Sequence, residues 1–176
     1  ALAGIDAATQ NADGEVHVLE VGVGTGCIAL SIATERPQTR VYATDLSPQA
    51  IALATRNRDA LDLQERVELI ECDLVEGVPA ELARSFSVLV SNPPYIPTRV
   101  LEQEVPAEVK GFEPELALDG GEDGLDVYRR LLEAAPHMLL PGGMLCVELY
   151  EGHLDKAAHL AEEQGVWESV EVKEDL

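Results

Sequence analysis

The chain reads as an α/β protein built on a doubly wound, mostly parallel sheet. Three observations predict this. Apolar runs of strand length alternate with helical patterns along its 176 residues. The first clear strand runs directly into a glycine-rich turn and then a helix, the opening unit of a doubly wound sheet. Later strands end in polar residues, Asp45, Asp73 and Asn92, and in such sheets the carboxyl ends of the strands gather along one crevice. The length suits one domain, residues 1–176, with a sheet covered on both faces.

Val16-His17-Val18-Leu19-Glu20-Val21 is the first strand, and Gly22-Val23-Gly24-Thr25-Gly26 is the turn at its end. Residues 27–33 then read as a helix. Glycines let the backbone take positive φ and let a ligand approach closely. The spacing is G-x-G-x-G rather than the dinucleotide G-x-G-x-x-G. Glu20 stands just before the turn, where an acid would repel a pyrophosphate. It would favour an ammonium group such as that of S-adenosylmethionine, which carries no phosphate.

Val41-Tyr42-Ala43-Thr44-Asp45 is the second strand. It ends in an acid roughly twenty residues after the turn, where a carboxylate accepts hydrogen bonds from ribose hydroxyls. Ser47-Pro48 supplies an N-cap and a proline at the first helical position. Ile51, Ala54 and Leu61 form a helical stripe through residues 49–61. Val67-Glu68-Leu69-Ile70-Glu71-Cys72-Asp73-Leu74 is a third strand. Asp73 there suits an exocyclic amine and Leu74 a flat ring, although a turn acid accounts for Asp73 equally well.

Phe86-Ser87-Val88-Leu89-Val90 is the fourth strand, and Ser91-Asn92-Pro93-Pro94-Tyr95 follows it. Asn92 offers a side-chain carbonyl. The two prolines offer no N–H and restrict the backbone, so the segment presents acceptors in set directions. Tyr95 adds a flat face. Together they suit a planar amide or amine whose N–H groups are gripped and whose lone pair points elsewhere, as a methyl acceptor requires.

Residues 98–122 lack sustained periodicity and read as a long loop with one short helix, of the kind that covers a site. The acids Glu102, Glu104, Glu108, Glu113 and Glu115 read as a solvated face. Leu125, Tyr128, Leu131 and Leu132 mark a helix over residues 124–135 that stops at Pro136. Pro141-Gly142-Gly143 precedes a strand over residues 144–149. A helix over 153–164 and a strand over 166–174 complete the pattern.

The net charge of −21, with only Lys110, Lys156 and Lys173 as lysines among twelve basic residues, repels polyanions. It argues against nucleic acid as a partner. Such a surface also suits a salt-rich medium, where self-repulsion is screened. Cys27, Cys72 and Cys146 lack metal spacing and read as reduced core thiols. His17, His137, His153 and His159 form no ligand pair, and no metal is expected. No stretch approaches a membrane span and no leader opens the chain, so a cytoplasmic location is expected. A monomer is also expected.

Several motifs resemble one known family. The turn at residues 20–26, Asp45-Leu46-Ser47-Pro48, Cys72-Asp73-Leu74 and Asn92-Pro93-Pro94-Tyr95 are similar to motifs of the protein-glutamine methyltransferases that modify peptide chain release factors, the HemK/PrmC family. So are Pro141-Gly142-Gly143 and, most specifically, Gly111-Phe112-Glu113-Pro114-Glu115-Leu116-Ala117-Leu118-Asp119-Gly120-Gly121-Glu122-Asp123-Gly124-Leu125. The resemblance implies a Rossmann-like class I fold and a site for S-adenosylmethionine. The cofactor residues it implies are Glu20, Gly22, Val23, Gly24, Thr25, Gly26, Asp45, Leu46, Asp73, Leu74 and Asn92. It implies that Asn92, Pro93, Pro94 and Tyr95 hold the substrate glutamine, in that family the glutamine of a Gly-Gly-Gln loop.

The chain departs from the family at Tyr150 and His153, where a Glu-Ile-Gly…Gln pattern is usual. The family's N-terminal helical domain, its Arg-Pro-Glu-Thr hairpin and its last strand have no counterpart here. With Ala1 in place of Met, a piece of a longer protein or a processed form is expected. Other readings of the same motifs are a ribosomal-protein glutamine methyltransferase, a nucleic-acid amine methyltransferase, or a cofactor-binding module inactive without a partner.

Overall fold

The first apolar run becomes the centre of the sheet. Strand β1 (Val16–Val21) is flanked by β2 (Thr39–Asp45) and β4 (Phe86–Ser91), and β3 (Val67–Glu71) pairs with β2 on its far side. Strand β5 (Leu139–Val147) lies beyond β4, giving the order β3-β2-β1-β4-β5. The pairings of β1 with β2, β1 with β4 and β2 with β3 are parallel, with Val18 opposite both Val41 and Val88. The strands read as near-continuous apolar runs because a parallel sheet is buried on both faces. Val18, Leu19, Val41, Val88 and Leu89 are wholly buried. This computed structural model describes residues 2–11, 14–103 and 115–173. Residues 111–114 of the family-like run, Glu104, Glu108 and the chain end from residue 174 lie outside them.

Two units divide the chain. One comprises Ala1–Ser91 and Ala134–Cys146, the other Asn92–Glu133 and Val147–Leu176. In the first, α2 (Cys27–Glu35) and α3 (Pro48–Ala60) connect the strands. Ser47 caps α3 through its side chain, which accepts from the Ala50 N–H, and Pro48 occupies the first turn as expected. Of the α3 stripe, Ala54 is fully buried and Ile51 packs on the core, but Leu61 is the C-cap residue and is exposed. Helix α1 (Leu2–Asn11) has no counterpart in the sequence reading. Its Ile5 is fully buried, and a Cβ on Gly4 would stand 2.8 Å from Met144 Sδ, so glycine lets α1 lie close against Met144 and Val88.

In the second unit, α4 (Thr98–Gln103) and a 3₁₀ turn (Glu115–Ala117) occupy part of the expected loop. Helix α5 (Asp126–Met138) and helix α6 (Leu154–Gln164) follow the expected patterns. Leu125, Tyr128, Leu131 and Leu132 are buried, as their spacing requires.

The bounds of three elements and one expected strand are corrected. Helix α5 does not stop at Pro136 but runs through it to Met138. Proline removes the N–H that would reach the Leu132 carbonyl, and the Gln164 side-chain amide donates to that carbonyl instead, at 2.7 Å. Strand β3 ends at Glu71 rather than Asp73, and Leu74, with φ +45°, turns the chain away from the extended direction. Strand β5 begins at Leu139 and contains Pro141-Gly142-Gly143, ending at Val147 rather than Leu149. Residues 166–173 form no strand, and Val166 and Val172 are about half exposed; β propensity needs a paired, half-buried surface to act on. The thiols are also reassigned: Cys27 is exposed, and Cys72 and Cys146 are half-buried, so none is a full core residue. Burial still pushes the Cys72 thiol upward in pKa.

Candidate functional site

The glycine turn is held from behind by the strand beside it. The N–H groups of Gly22 and Val23 both donate to the Thr44 carbonyl on β2, at 2.8 and 2.9 Å. Gly26 N–H closes the turn on the Val23 carbonyl at 2.8 Å, and Val23 is buried. Gly22, Gly24 and Gly26 have φ of +83°, +53° and +86°, values that L side chains adopt only with strain. Around Gly24 the space is open: a Cβ there would meet no protein atom within 4 Å. Its glycine serves a backbone conformation and leaves room for a ligand to come against the peptide. Asn57 donates to the Thr25 carbonyl at 2.8 Å and fixes the outer limb of the turn.

The two strand-end acids have different surroundings. Asp45 accepts from Gly24 N–H through Oδ2 at 2.9 Å and from Ser47 N–H through Oδ1 at 2.8 Å. Each oxygen keeps a lone pair for a further donor, which fits the pair of hydroxyls of a ribose. Glu20 is buried, with 1% exposure, and its Oε2 accepts from Ala29 N–H at 2.8 Å. It satisfies one of the free N–H groups in the first turn of α2. Burial pushes its carboxyl up from 4.5 to about 8, the Ala29 N–H opposing and the Asp45 charge adding to the rise.

At the end of β3, Asp73 is half-buried and its carbonyl accepts from Glu76 N–H at 3.0 Å, forming a turn. Leu74 turns back with positive φ, and its carbonyl accepts from Thr44 Oγ at 2.7 Å. Leu46 is half exposed beside Asp45, an apolar surface available to a flat group. Ser91 Oγ donates to the Val21 carbonyl at 2.7 Å, pinning the end of β4 to the end of β1. Thr44, Asn57 and Ser91 thus organise the site without having been singled out from the sequence. Thr44 and Ser91 sit beside residues that were, and that adjacency is the one signal available.

Asn92 is the residue after Ser91 and is exposed, while Pro93 is buried and Pro94 and Tyr95 are half-buried. Within its own unit this segment is stitched to residues 118–121. Ile96 bridges Asp119 in parallel, with Ile96 N–H on the Leu118 carbonyl at 3.0 Å and Gly120 N–H on the Ile96 carbonyl at 2.8 Å.

A cavity of about 520 Å³ lies along α2 and α3, lined by Leu30, Ser31, Thr34, Ala60 and Leu61 among others. It shares Thr25 with the turn but none of the strand-end acids, so the turn and those acids, not this cavity, define the candidate site. No group of side chains among the described residues could hold a metal ion, and no described helix is long and apolar enough to cross a membrane.

The sheet order, the glycine turn and the acids at the ends of β1 and β2 define a doubly wound domain of the class I methyltransferase type. A methyltransferase from Pyrococcus furiosus shares this fold, with a TM-score of 0.62 at 22% identity over 86% of this chain and 65% of that one. Residues 6–109, more than half the chain, match the methyltransferase small domain, and the chain belongs to that family. It is 46% identical to the release factor glutamine methyltransferase of Geobacter sulfurreducens, over 86% of this chain and 51% of that protein. It is 42% identical to the release factor glutamine methyltransferase of Moorella thermoacetica, over 90% of this chain and 54% of that protein. The chain spans about half the length of these curated relatives.

Proposed function

We propose that this chain is the catalytic part of an S-adenosylmethionine-dependent methyltransferase that modifies the side-chain amide of a glutamine in a protein. The substrate favoured is the Gly-Gly-Gln loop of peptide chain release factors. One observation carries the reading: an Asn-Pro-Pro-Tyr begins at the residue after β4, whose end Ser91 ties to the strand bearing the glycine turn. The names of the relatives support the substrate class. The charge of −21 disfavours a nucleic-acid substrate.

The turn at residues 22–26 and Asp45 fit the cofactor. Gly24 leaves its peptide open to approach, Asp45 has acceptor capacity left for the ribose hydroxyls, and Leu46 offers an apolar face. Glu20, Val23 and Thr25 shape the turn, and Asp73 and Leu74 are assigned to the adenine. When bound, the cofactor supplies a methyl group already activated on a sulfonium, with a neutral thioether as leaving group.

The chain's own contribution is position. A glutamine amide nitrogen is a poor nucleophile because its lone pair is delocalised into the carbonyl. The Asn92 side-chain oxygen and the Pro93 carbonyl accept its two N–H groups and aim the nitrogen, and Pro94 holds the backbone. Tyr95 provides the flat wall. Orientation of this kind contributes about 7–11 kcal/mol at its best. The same two acceptors stabilise positive charge growing on nitrogen, and the proton then leaves to water.

Calorimetric titration with S-adenosylmethionine followed by a Gly-Gly-Gln peptide assay tests this. Asn92→Ala should abolish transfer while cofactor affinity stays within about tenfold, or about 1.4 kcal/mol. Transfer retained in that variant removes Asn92 from its role.

A further inference from the structure

The run from Leu118 to Gly124 is the part of the family-like sequence that the cofactor site does not explain. Two of its three glycines, Gly120 and Gly124, are dictated by the backbone of the Asn-Pro-Pro-Tyr segment. A Cβ on Gly120 would fall 2.8 Å from Tyr95 Cα and 2.8 Å from the Gly124 carbonyl. A Cβ on Gly124, where φ is +76°, would run into the Tyr95 carbonyl oxygen on one side and stand 2.5 Å from His153 Cε1 on the other. At both positions a side chain would have to displace backbone, not the far end of a flexible side chain.

Hydrogen bonds close the same enclosure. Besides the two bonds of Ile96, Thr98 N–H donates to the Gly121 carbonyl at 2.9 Å. Thr98 Oγ donates to Asp119 Oδ1 at 2.7 Å, and the same oxygen accepts from Gly121 N–H at 3.0 Å. Gly120 itself is held on its other side, its carbonyl accepting from Asp126 N–H at 2.9 Å. Asp123 accepts from Arg129 through both oxygens and pairs with Lys156, fixing the outer limb to α5 and α6. His153 is the remaining wall, its ring standing edge-on to Tyr150 at 5.4 Å.

We propose that Gly120 and Gly124 are positioning residues for methyl transfer: they admit the Tyr95 backbone so closely that the acceptors of Asn92 and Pro93 are held in one orientation. Asp119 locks the enclosure by bonding Thr98 and Gly121 together. This rests on the function proposed above. It adds that glycines outside the cofactor site set the efficiency of the acceptor side. It also gives His153 a role as a packing wall against Gly124.

The test compares Gly120→Ala, Asp119→Ala and Asp119→Asn with the unaltered chain, and uses Gly14→Ala, where a Cβ meets nothing within 4 Å, as a control. Three quantities are read: the turnover number on a Gly-Gly-Gln peptide, the cofactor dissociation constant, and the hydrogen-exchange rate of the Ile96 amide. Gly120→Ala and Asp119→Ala should lower turnover by at least about tenfold and speed Ile96 exchange, with the cofactor constant moving less than about threefold. Asp119→Asn keeps the carbonyl acceptor and should recover most of the turnover.

Full turnover in Gly120→Ala, or a cofactor constant that worsens in step with turnover, overturns the positioning role. If the unaltered chain binds cofactor yet methylates no glutamine, the proposed function falls instead. In that case Ile96 exchange alone decides: unchanged exchange in Gly120→Ala overturns the enclosure, and accelerated exchange upholds it.

Discussion

Replacing Glu20 by glutamine should give the protein a stability advantage over the unaltered chain that grows as the pH rises, while keeping the bond from the Ala29 N–H. In the folded chain the carboxyl titrates near 8, against an ordinary value of 4.5, chiefly because it is buried. Between these values the folded chain keeps a proton that the unfolded chain has released. Stability from this group is therefore complete below the unfolded value and is lost as pH rises through about 8. At about 1.4 kcal/mol per unit, the whole displacement amounts to something on the order of 5 kcal/mol. That is a large part of the stability of an ordinary domain. Glutamine has the same shape and keeps an oxygen for the Ala29 N–H but carries no proton to lose. Urea unfolding of both proteins from about pH 5.5 to about pH 8 should show the variant's advantage growing by about 3 kcal/mol. The other carboxylates behind the charge of −21 are common to both chains and cancel in the difference. Parallel stability curves would mean that Glu20 is ionised in the folded state and that its burial is offset by a partner.

Asp45→Ala should weaken S-adenosylmethionine by about 1–3 kcal/mol, because it removes the proposed ribose acceptor and also frees the Gly24 N–H; an unchanged dissociation constant by calorimetry would sink the assignment. Gly24→Ala should cost about 1–2 kcal/mol of stability from its φ of +53° alone. The variant should also bind cofactor more weakly, and equal melting and binding would refute both parts. Gln164→Ala should cost about 1–3 kcal/mol in a thermal melt, since it strands the Leu132 carbonyl and the Trp167 indole N–H together; Trp167→Phe should recover only the second share.

The sequence makes the centre of the sheet legible because parallel strands bury both faces and announce themselves as apolar runs, as in residues 16–21 and 86–90. The glycine turn is legible because glycine is the residue that takes positive φ without strain, as Gly22, Gly24 and Gly26 do. Other features depend on tertiary partners that no local window contains. Helix α1 is short, and what holds it comes from far along the chain: Ile5 is buried, Asp6 pairs with Arg36, and Gly4 lies close to Met144. Pro136 ends a helix by the local rule, and α5 continues past it because Gln164 takes up the orphaned carbonyl. Val166, Val170 and Val172 carry strand propensity, but residues 166–173 pair with no strand among the described residues. At the site, Glu20 is legible as an acid beside the turn. Its burial and its bond to Ala29 follow only from the packing of α2 on the sheet. The glycines at 120 and 124 are legible as part of a family-like run; why they are glycines appears only with Tyr95 and His153 placed beside them.

The strand order also bears on how the chain reaches this state. Strand β1 is central in space but first in sequence, and its two partners begin at Thr39 and Phe86. As the chain leaves the ribosome, β1 can pair with β2 almost at once. Its other edge must wait for the whole span through β3 before β4 arrives. Pairing at such separation is slow, because loop closure costs entropy before the contacts repay it. During that interval the unpaired edge of β1 is the segment most open to association with other chains. Within this sheet, the half built from β1, β2 and β3 can then collapse first, and the glycine turn forms on it before residues 92–95 beyond β4 have been made.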